Sequence, residues 1–218
     1  MLEHLDAVPG LARIRLGSLE PGLLTSGFLE RAAKIGRLCP HFHVSLQSGS
    51  DSVLARMNRP YTSRQYAEVI ANIRRAFDRP ALTTDVITGF PGETEEEFME
   101  TAAFLREIRF SRLHVFPYSE RAGTAAAALP AKVAKDVKKE RTGLLIALGK
   151  EYERAFISGF LGERDDVLFE RFVDGGLAEG HTGRYNLVRA DGTPGEISSV
   201  LLKSQKNDII YGEVVKGG

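Results

Sequence analysis

TTDVITGFPGETEEEF, residues 83–98, is the stretch that decides the fold class of this chain. A β-rich run enters a Gly-Phe-Pro-Gly turn, and a helix with an acidic first turn follows at once. Gly89 and Gly92 allow backbone conformations that other residues resist, and Pro91 stiffens the turn. Thr94 then opens the helix with the spacing of a capping box. A turn this tight either brings bare backbone against a ligand or only joins the strand to the helix, and the pattern leaves both interpretations open.

Four β-rich runs of this kind recur, each followed by a polar turn. They are ARIRLGS (12–18), HFHVSLQ (41–47), LTTDVITGF (82–90) and RLHVFPYS (112–119). Amphipathic helical patterns separate them, and the clearest begin at Thr62 and Thr94 with capping-box spacing. Strands and helices that alternate every thirty to forty residues or so predict βαβ units and a parallel sheet.

Ligands of parallel α/β sheets bind at the carboxyl ends of the strands, so the four strand ends are the candidate site. They read GSLEP, QSGSD, GFPGET and PYSERAGT. Gln47 and Ser48 offer an amide and a hydroxyl that suit sugar hydroxyls or a carboxylate. Ser18 and Glu20 leave open the same choice between ligand contact and turn chemistry. Glu93 and the acids after it are interpreted as first-turn residues that complement the helix dipole.

The chain changes in texture after the fourth β-rich run. A long helix is predicted over roughly residues 131–158, with an apolar stripe that includes Val133, Leu144 and Leu148. Beyond Gly162 come short strands broken by Asp-Gly and Gly-Gly turns, a pattern typical of a small β-barrel or OB-like module. We therefore expect two domains, residues 1–154 and 155–218.

Composition restricts the functional classes. Of 218 residues, 43% are hydrophobic and the formal net charge is zero, so any nucleic-acid contact must come from a local basic patch. No run approaches the length of a membrane span, and no secretory signal is visible. The one cysteine, Cys39, cannot form an internal disulfide and fits a reducing, cytoplasmic setting.

Four motifs together carry a family resemblance. RIRLGSLEP, HVSLQSGSDSVLARMNRPYT, TDVITGFPGETEEEF and HVFPYSERAGTAAA are similar to the radical S-adenosylmethionine methylthiotransferases of the MiaB type. The spellings RIRLGSLEP and SERAGTAAA resemble the MtaB-like branch, which modifies threonylcarbamoyladenosine beside the tRNA anticodon. The last sixty residues or so resemble a TRAM domain, the small β-barrel with which this family binds RNA.

The resemblance implies a fold and a cofactor. The four strands would be the third to sixth of a six-unit open radical-SAM barrel, with S-adenosylmethionine lying across the strand ends. The positions that would contact the cofactor are Ser18, Glu20, Gln47, Ser48, Gly49, Asp85, Gly89, Phe90, Pro91, Gly92, Pro117, Tyr118 and Ser119.

The departure from the family concerns iron. The family uses two 4Fe-4S clusters held by cysteine thiolates, in a CxxxCxxC loop and an N-terminal domain. This sequence has neither, and Cys39 is expected to be a buried small hydrophobe. His41 and His43 alternate along a strand, but without further ligands no metal site is expected. We therefore expect a catalytically inactive fragment that carries no cluster, with an exposed sheet edge beside RIRLGS through which it self-associates.

The TRAM-like segment supplies the candidate RNA contacts, because alternating basic and aromatic side chains are how small β-modules hold RNA. With one arginine from the loop after the fourth strand, they are Arg121, Arg171, Arg184, Tyr185, Arg189, Lys203 and Lys206. The alternative is a solvated barrel surface. The expected partner is a tRNA anticodon stem-loop, with no membrane partner.

The leading hypothesis is a fragment of a tRNA methylthiotransferase that adds a methylthio group to C2 of N6-threonylcarbamoyladenosine. Within the family, isopentenyl-adenosine and an aspartate of a ribosomal protein are alternative substrates. A non-catalytic RNA-binding or scaffold protein is an alternative from another class. An ordinary βα-barrel hydrolase or aldolase is disfavoured, because the strand ends present no Lys nucleophile, metal triad or Ser–His pair.

Overall fold

The computed structural model describes residues 1–173 and 175–215. Two units follow one another along the chain, a parallel β-sheet with its helices and a closed β-barrel. This mixed architecture confirms the α/β fold class, with a partial parallel sheet followed by a small all-β barrel.

The sheet has four strands that lie side by side in chain order. They are β1 (Ile14–Leu19), β2 (Leu38–Val44), β3 (Ala81–Thr88) and β4 (Arg112–Pro117). All three pairings are parallel, and the register places His43 opposite Thr83 and Asp85 opposite His114. The four strand ends predicted from the sequence therefore meet at one edge of the sheet.

Seven helices precede, connect or follow these strands in the described residues. They are α1 (Leu2–Asp6), α2 (Ser26–Ala32), α3 (Asp51–Arg56), α4 (Ser63–Ala76), α5 (Glu95–Ile108), α6 (Ala125–Ala128) and α7 (Lys135–Ser158), with a 3₁₀ turn at Pro21–Leu23. Both predicted capping boxes are present: Thr62 with Gln65 opens α4, and Thr94 with Glu97 opens α5. The predicted starts of these two helices are confirmed.

The hydrophobic core lies between one face of the sheet and helices α4 and α5. Tyr66 is fully buried among Phe42, Phe104 and Phe110, and its hydroxyl donates to the Val44 carbonyl at 2.7 Å. A buried side chain of this size contributes roughly 1.5–3 kcal/mol, and the hydrogen bond removes the cost of burying its polar end. The opposite face of the sheet carries polar side chains.

Helix α7 differs from its prediction in both its start and its buried face. It begins at Lys135, and Leu144 of the predicted stripe is 55% exposed. The buried positions include Arg141, Leu145 and Gly149 instead. Leu148 of the predicted stripe does pack against the core, so the pattern placed the stripe in part. It missed the buried Arg141, because a carboxylate distant in sequence pairs with that side chain. Gly149 allows close packing against β4, since a Cβ there would lie 3.1 Å from Leu113 Cβ.

The barrel contains five strands in the closed order β5-β6-β7-β9-β8. Their bounds are β5 (Arg164–Phe172), β6 (Ala178–Thr182), β7 (Leu187–Ala190), β8 (Ile197–Lys206) and β9 (Ile209–Val214). Only β7 and β9 pair in parallel among these described strands. Ile157 and Phe160, at the end of α7, are buried in the barrel core. The domain boundary near residue 155 stays a prediction.

The described residues form seven α-helices. None of them is both long enough and apolar enough to cross a bilayer.

Candidate functional site

The Gly-Phe-Pro-Gly turn has the backbone that its sequence predicts. Gly89 and Gly92 have φ angles of +69° and +76°. The chain's own α7 region covers this turn: the Gly92 amide donates to the Ala131 carbonyl at 2.8 Å, and a Cβ on Gly89 would lie 2.7 Å from Lys138 Cδ. The tight backbone is therefore used, at least in part, to pack α7 against the end of β3.

A buried ion pair fastens this turn to α7. Arg141 donates to Glu93 Oε1 at 2.7 Å, and the two side chains are 7% and 2% exposed. Glu93 also accepts a hydrogen bond from the Gly89 amide at 2.8 Å. Burial raises the pKa of Glu93, against the opposing effects of the Gly89 amide and Arg141. Sequence analysis missed this pair because its members are 48 positions apart and no local pattern joins them.

The loop after β2 packs tightly on α5. Ser48 is fully buried and hydrogen-bonds Thr101 Oγ1 at 3.1 Å, and the Gly49 amide donates to the same oxygen at 3.1 Å. A Cβ on Gly49 would lie 2.8 Å from Phe104 Cβ. Ser48 and Gly49 thus fix the shape of the loop through their contacts with α5. Gln47 is only half-buried, has φ +72° and bridges to Val86, so it remains at the strand ends.

The predicted residues at the two edges of the sheet are more open. Ser18 is exposed, and Glu20 is exposed and pairs with Arg59 at 3.3 Å. At the end of β4, Pro117 and Ser119 are exposed.

Tyr118, between them, packs its ring against Phe90 with a centroid distance of 5.3 Å. Its hydroxyl is buried and has no hydrogen-bond partner in the described part of the chain. An unpaired buried hydroxyl costs about 1–3 kcal/mol, so this oxygen is suited to a polar partner. Phe90 and Pro91 are themselves buried beside it.

The polar face of the sheet carries an imidazole cluster next to the predicted Asp85. His43 hydrogen-bonds Thr83 Oγ1 at 3.0 Å, and its Nε2 lies 3.4 Å from Asp85 Oδ2. The His114 ring lies 5.7 Å from that of His43, and burial lowers the pKa of His114. Burial likewise lowers the pKa of His41 to about 4. Alternation along β4 could have indicated His114, which sequence analysis did not single out.

Over residues 1–173 and 175–215, no group of three or more His, Cys, Asp or Glu side chains is placed to hold a metal ion. Cys39 lies on β2 and is 4% exposed.

The barrel lies at the opposite end of the sheet from these strand ends. Arg13, just before β1, donates to the His181 carbonyl at 2.9 Å and to the Asp166 carbonyl at 2.7 Å. Arg79, just before β3, pairs with Glu163 at 2.6 Å. The contacts between the two units are therefore at the amino ends of the strands.

Two predicted RNA contacts belong to this junction. Arg184 donates to the carbonyls of Arg79 at 2.9 Å and Asp78 at 3.1 Å, and its side chain is 16% exposed. Tyr185 stacks on the His181 ring at 4.2 Å, and the Arg15 guanidinium lies 4.6 Å from its ring centre. Both side chains are engaged in holding the barrel to the sheet.

The remaining predicted RNA contacts lie on the surface. Arg171 and Arg189 both pair with Glu179, at 2.6 and 2.7 Å, and these hydrogen bonds lower the pKa of that carboxyl. Lys203 pairs with Glu213. Lys206 and Arg121 are exposed.

Comparison with known proteins shows what the chain is similar to. Residues 4–105 match the Radical SAM superfamily. The chain is 39% identical over 206 residues to the threonylcarbamoyladenosine tRNA methylthiotransferase MtaB of Bacillus subtilis, covering 92% of this chain and 46% of that protein. It is 35% identical over 218 residues to the tRNA-2-methylthio-N(6)-dimethylallyladenosine synthase of Desulfitobacterium hafniense, covering 98% of this chain and 49% of that protein. The resemblance that the motifs indicated is confirmed.

The chain spans about half the length of these curated relatives. Among solved structures, coproporphyrinogen III oxidase (HemN) from Escherichia coli, described as a radical SAM enzyme, superposes with a TM-score of 0.54. That match has 20% identity and covers 64% of this chain and 32% of that one. At this identity the likeness shows the fold alone.

Proposed function

We propose, from the radical SAM match and the methylthiotransferase relatives, that this chain is part of a cytoplasmic tRNA methylthiotransferase. It supplies the last four βα units of the open barrel and a TRAM-like RNA-binding barrel. The observation that carries the proposal is the 39% identity to MtaB of Bacillus subtilis, because it extends over 92% of the chain and so includes both units.

The proposed substrate is N6-threonylcarbamoyladenosine next to the anticodon, which receives a methylthio group at C2. Relatives named for this nucleoside match at 39% and 35% identity. A second candidate is a dimethylallyl-type (isopentenyl) adenosine, because synthases named for it match at 35% and 40% identity. Two further alternatives are a ribosomal-protein aspartate as the substrate and a role in RNA binding without chemistry.

The proposed cofactor is S-adenosylmethionine at the carboxyl ends of the strands, where it would supply the radical that starts the reaction. The unpaired Tyr118 hydroxyl fits a ligand rich in polar groups. Ser18 and Gln47 offer further polar atoms at the carboxyl ends of the strands. Asp85 offers a carboxylate three residues before the end of β3. Buried residues lie beneath these polar atoms and support the strand ends: Ser48, Gly49, Gly89, Phe90 and Pro91.

The 4Fe-4S clusters do not fit the donors of this chain. Such clusters are held by several thiolates, whereas the 218 residues contain one cysteine, which is buried on β2. We therefore propose that this polypeptide alone binds S-adenosylmethionine without cleaving it. Isothermal titration with S-adenosylmethionine tests the first half of this statement, and absence of 5′-deoxyadenosine formation tests the second.

The substrate is tested by mass spectrometry of tRNA nucleosides from cells with and without the gene. We expect the methylthio derivative of N6-threonylcarbamoyladenosine to disappear while its precursor accumulates. Loss of methylthio from the isopentenyl nucleoside would establish the second candidate instead. Unchanged tRNA nucleosides would leave the ribosomal or non-catalytic alternatives.

A further inference from the structure

A groove of the described chain lies where the sheet meets the barrel, remote from the strand ends. Its volume is about 800 Å³, and the ends of α4, α5 and α7 form its walls. We call it the arginine groove, because Arg74, Arg75, Arg79 and Arg109 line it with one carboxylate, Asp78. The chain has no net charge, so this excess of positive charge is a local feature.

Two of the four arginines have a clear role in the fold. Arg74 donates to the carbonyls of Ile108 at 2.6 Å and Arg109 at 3.0 Å, where α5 ends. Arg79 pairs with Glu163 and donates to the Gly159 carbonyl, just after α7. Carbonyls at helix ends carry partial negative charge, so both arginines stabilise the structure without a ligand.

In the described part of the chain, the other two arginines contact no helix-end carbonyl and no carboxylate. Arg75 is exposed, and its contact is with the neighbouring Asn72 side chain. Arg109 is exposed and follows α5 with φ +54°. Within the described residues, neither guanidinium forms an ion pair with a carboxylate. Two unpaired guanidinium groups on one groove are suited to an anion with several oxygens.

We propose that the arginine groove binds the phosphate backbone of the RNA, with Arg75 and Arg109 as the contacting residues. The inference rests on the proposed function, which supplies an RNA substrate. The groove and the barrel lie at the same end of the sheet, so one RNA can contact both. Phosphate contacts fix the position of a nucleic acid and carry no sequence information. The groove therefore positions the RNA without reading its sequence.

The test measures binding of residues 1–218 to a fluorescein-labelled RNA hairpin with the sequence of a tRNA anticodon arm, over a range of salt concentrations. The variant is Arg75→Gln with Arg109→Asn, since asparagine tolerates a positive φ. The matched control is Lys34→Gln with Arg64→Gln, which also removes two exposed positive charges but outside the groove.

For the groove variant we expect affinity at low salt to fall about tenfold or more, and the slope of log K against log salt to fall by about 1.4–1.8. The control should change both quantities much less. If wild type binds the hairpin and the groove variant binds as well as the control, the groove is not the RNA site, and the proposed function stands. If wild type does not bind the hairpin, both this inference and the RNA partner are wrong.

Discussion

Arg141 on α7 and Glu93 at the end of the Gly-Phe-Pro-Gly turn form a buried ion pair, with 2.7 Å between a guanidinium nitrogen and Glu93 Oε1. The Glu93 carboxylate also accepts a hydrogen bond from the Gly89 amide. One buried carboxylate thus holds both the turn and the helix that covers it. The second guanidinium nitrogen of Arg141 reaches Glu95 at 3.0 Å, on the first turn of α5.

Replacing Arg141 by Met should lower the free energy of unfolding by about 3–5 kcal/mol, because Glu93 is left buried and unpaired. Equilibrium urea unfolding measures the change. The double variant Arg141→Met with Glu93→Met should recover most of the loss, since it removes both charges. Arg64→Met, which breaks an exposed pair with Glu68, is the control. An Arg141→Met effect as small as that of the control would contradict a structural role for the buried pair.

Gly89→Ala and Gly92→Ala should separate backbone strain from packing. Both positions have positive φ, which costs a residue with a side chain about 1–2 kcal/mol. Only at Gly89 does the new Cβ also meet Lys138, so Gly89→Ala should destabilise the chain more. Adding Lys138→Ala should bring the Gly89 variant down to the cost of the Gly92 variant. Thermal unfolding gives the ranking, and equal costs for the two single variants would rule out the Lys138 contact.

Acid should weaken the fold through Glu97. Its hydrogen bonds from Arg56, and then from Ser52 and the Thr94 amide, lower the pKa of Glu97 from 4.5 to about 2. A carboxyl whose folded pKa is depressed binds more protons in the unfolded state. Its stabilisation is therefore complete above pH 4.5 and is lost as the pH falls towards 2.

Glu97→Gln should flatten this acid dependence of the urea midpoint between about pH 4.5 and 2. Glu107→Gln, at an exposed glutamate of the same helix, is the matched control. If both variants flatten the curve equally, Glu97 is not the source of the acid sensitivity.

Gly180 should be required for closure of the barrel. It lies on β6 opposite Phe169, and a Cβ there would meet the Leu168 carbonyl and lie 2.6 Å from Phe169 Cα. Backbone atoms cannot move aside cheaply, so Gly180→Ala should cost at least about 1–3 kcal/mol. Gly183→Ala, with its nearest contact at 3.5 Å, is the control. Near-ultraviolet circular dichroism during heating reports the loss, and indistinguishable melting of the two variants would refute it.

Local patterns predicted most of the sheet unit. The four strands, their parallel pairing and the capping boxes at Thr62 and Thr94 follow from residues a few positions apart. The face of α7 did not follow, because Arg141 is buried by virtue of a carboxylate 48 positions away. Hydrophobic periodicity assigned that face to Leu144, which is exposed.

The candidate site was harder to predict because ligand contact and packing use the same residues. The loop glycines at positions 49 and 89 would allow close approach of a ligand. Each also allows close approach of a side chain of the protein, because Gly49 packs against Phe104 and Gly89 against Lys138. Arg184 and Tyr185 have the composition of an RNA contact, and both also contact the sheet unit. These partners are distant in sequence, so spacing alone could not reveal them.

Helix α7 has 24 residues and is therefore about 36 Å long. About a third of the way along it, Thr142 hydrogen-bonds Thr88 at the end of β3. Near its end Glu153 pairs with Arg112 at the start of β4, and Ile157 is buried in the barrel core. The distance between the barrel and the strand ends is consequently fixed by a single continuous helix. From Thr142 to Ile157 the helix rises about 22 Å, so a molecule that contacts both the barrel and the strand ends must span at least that length.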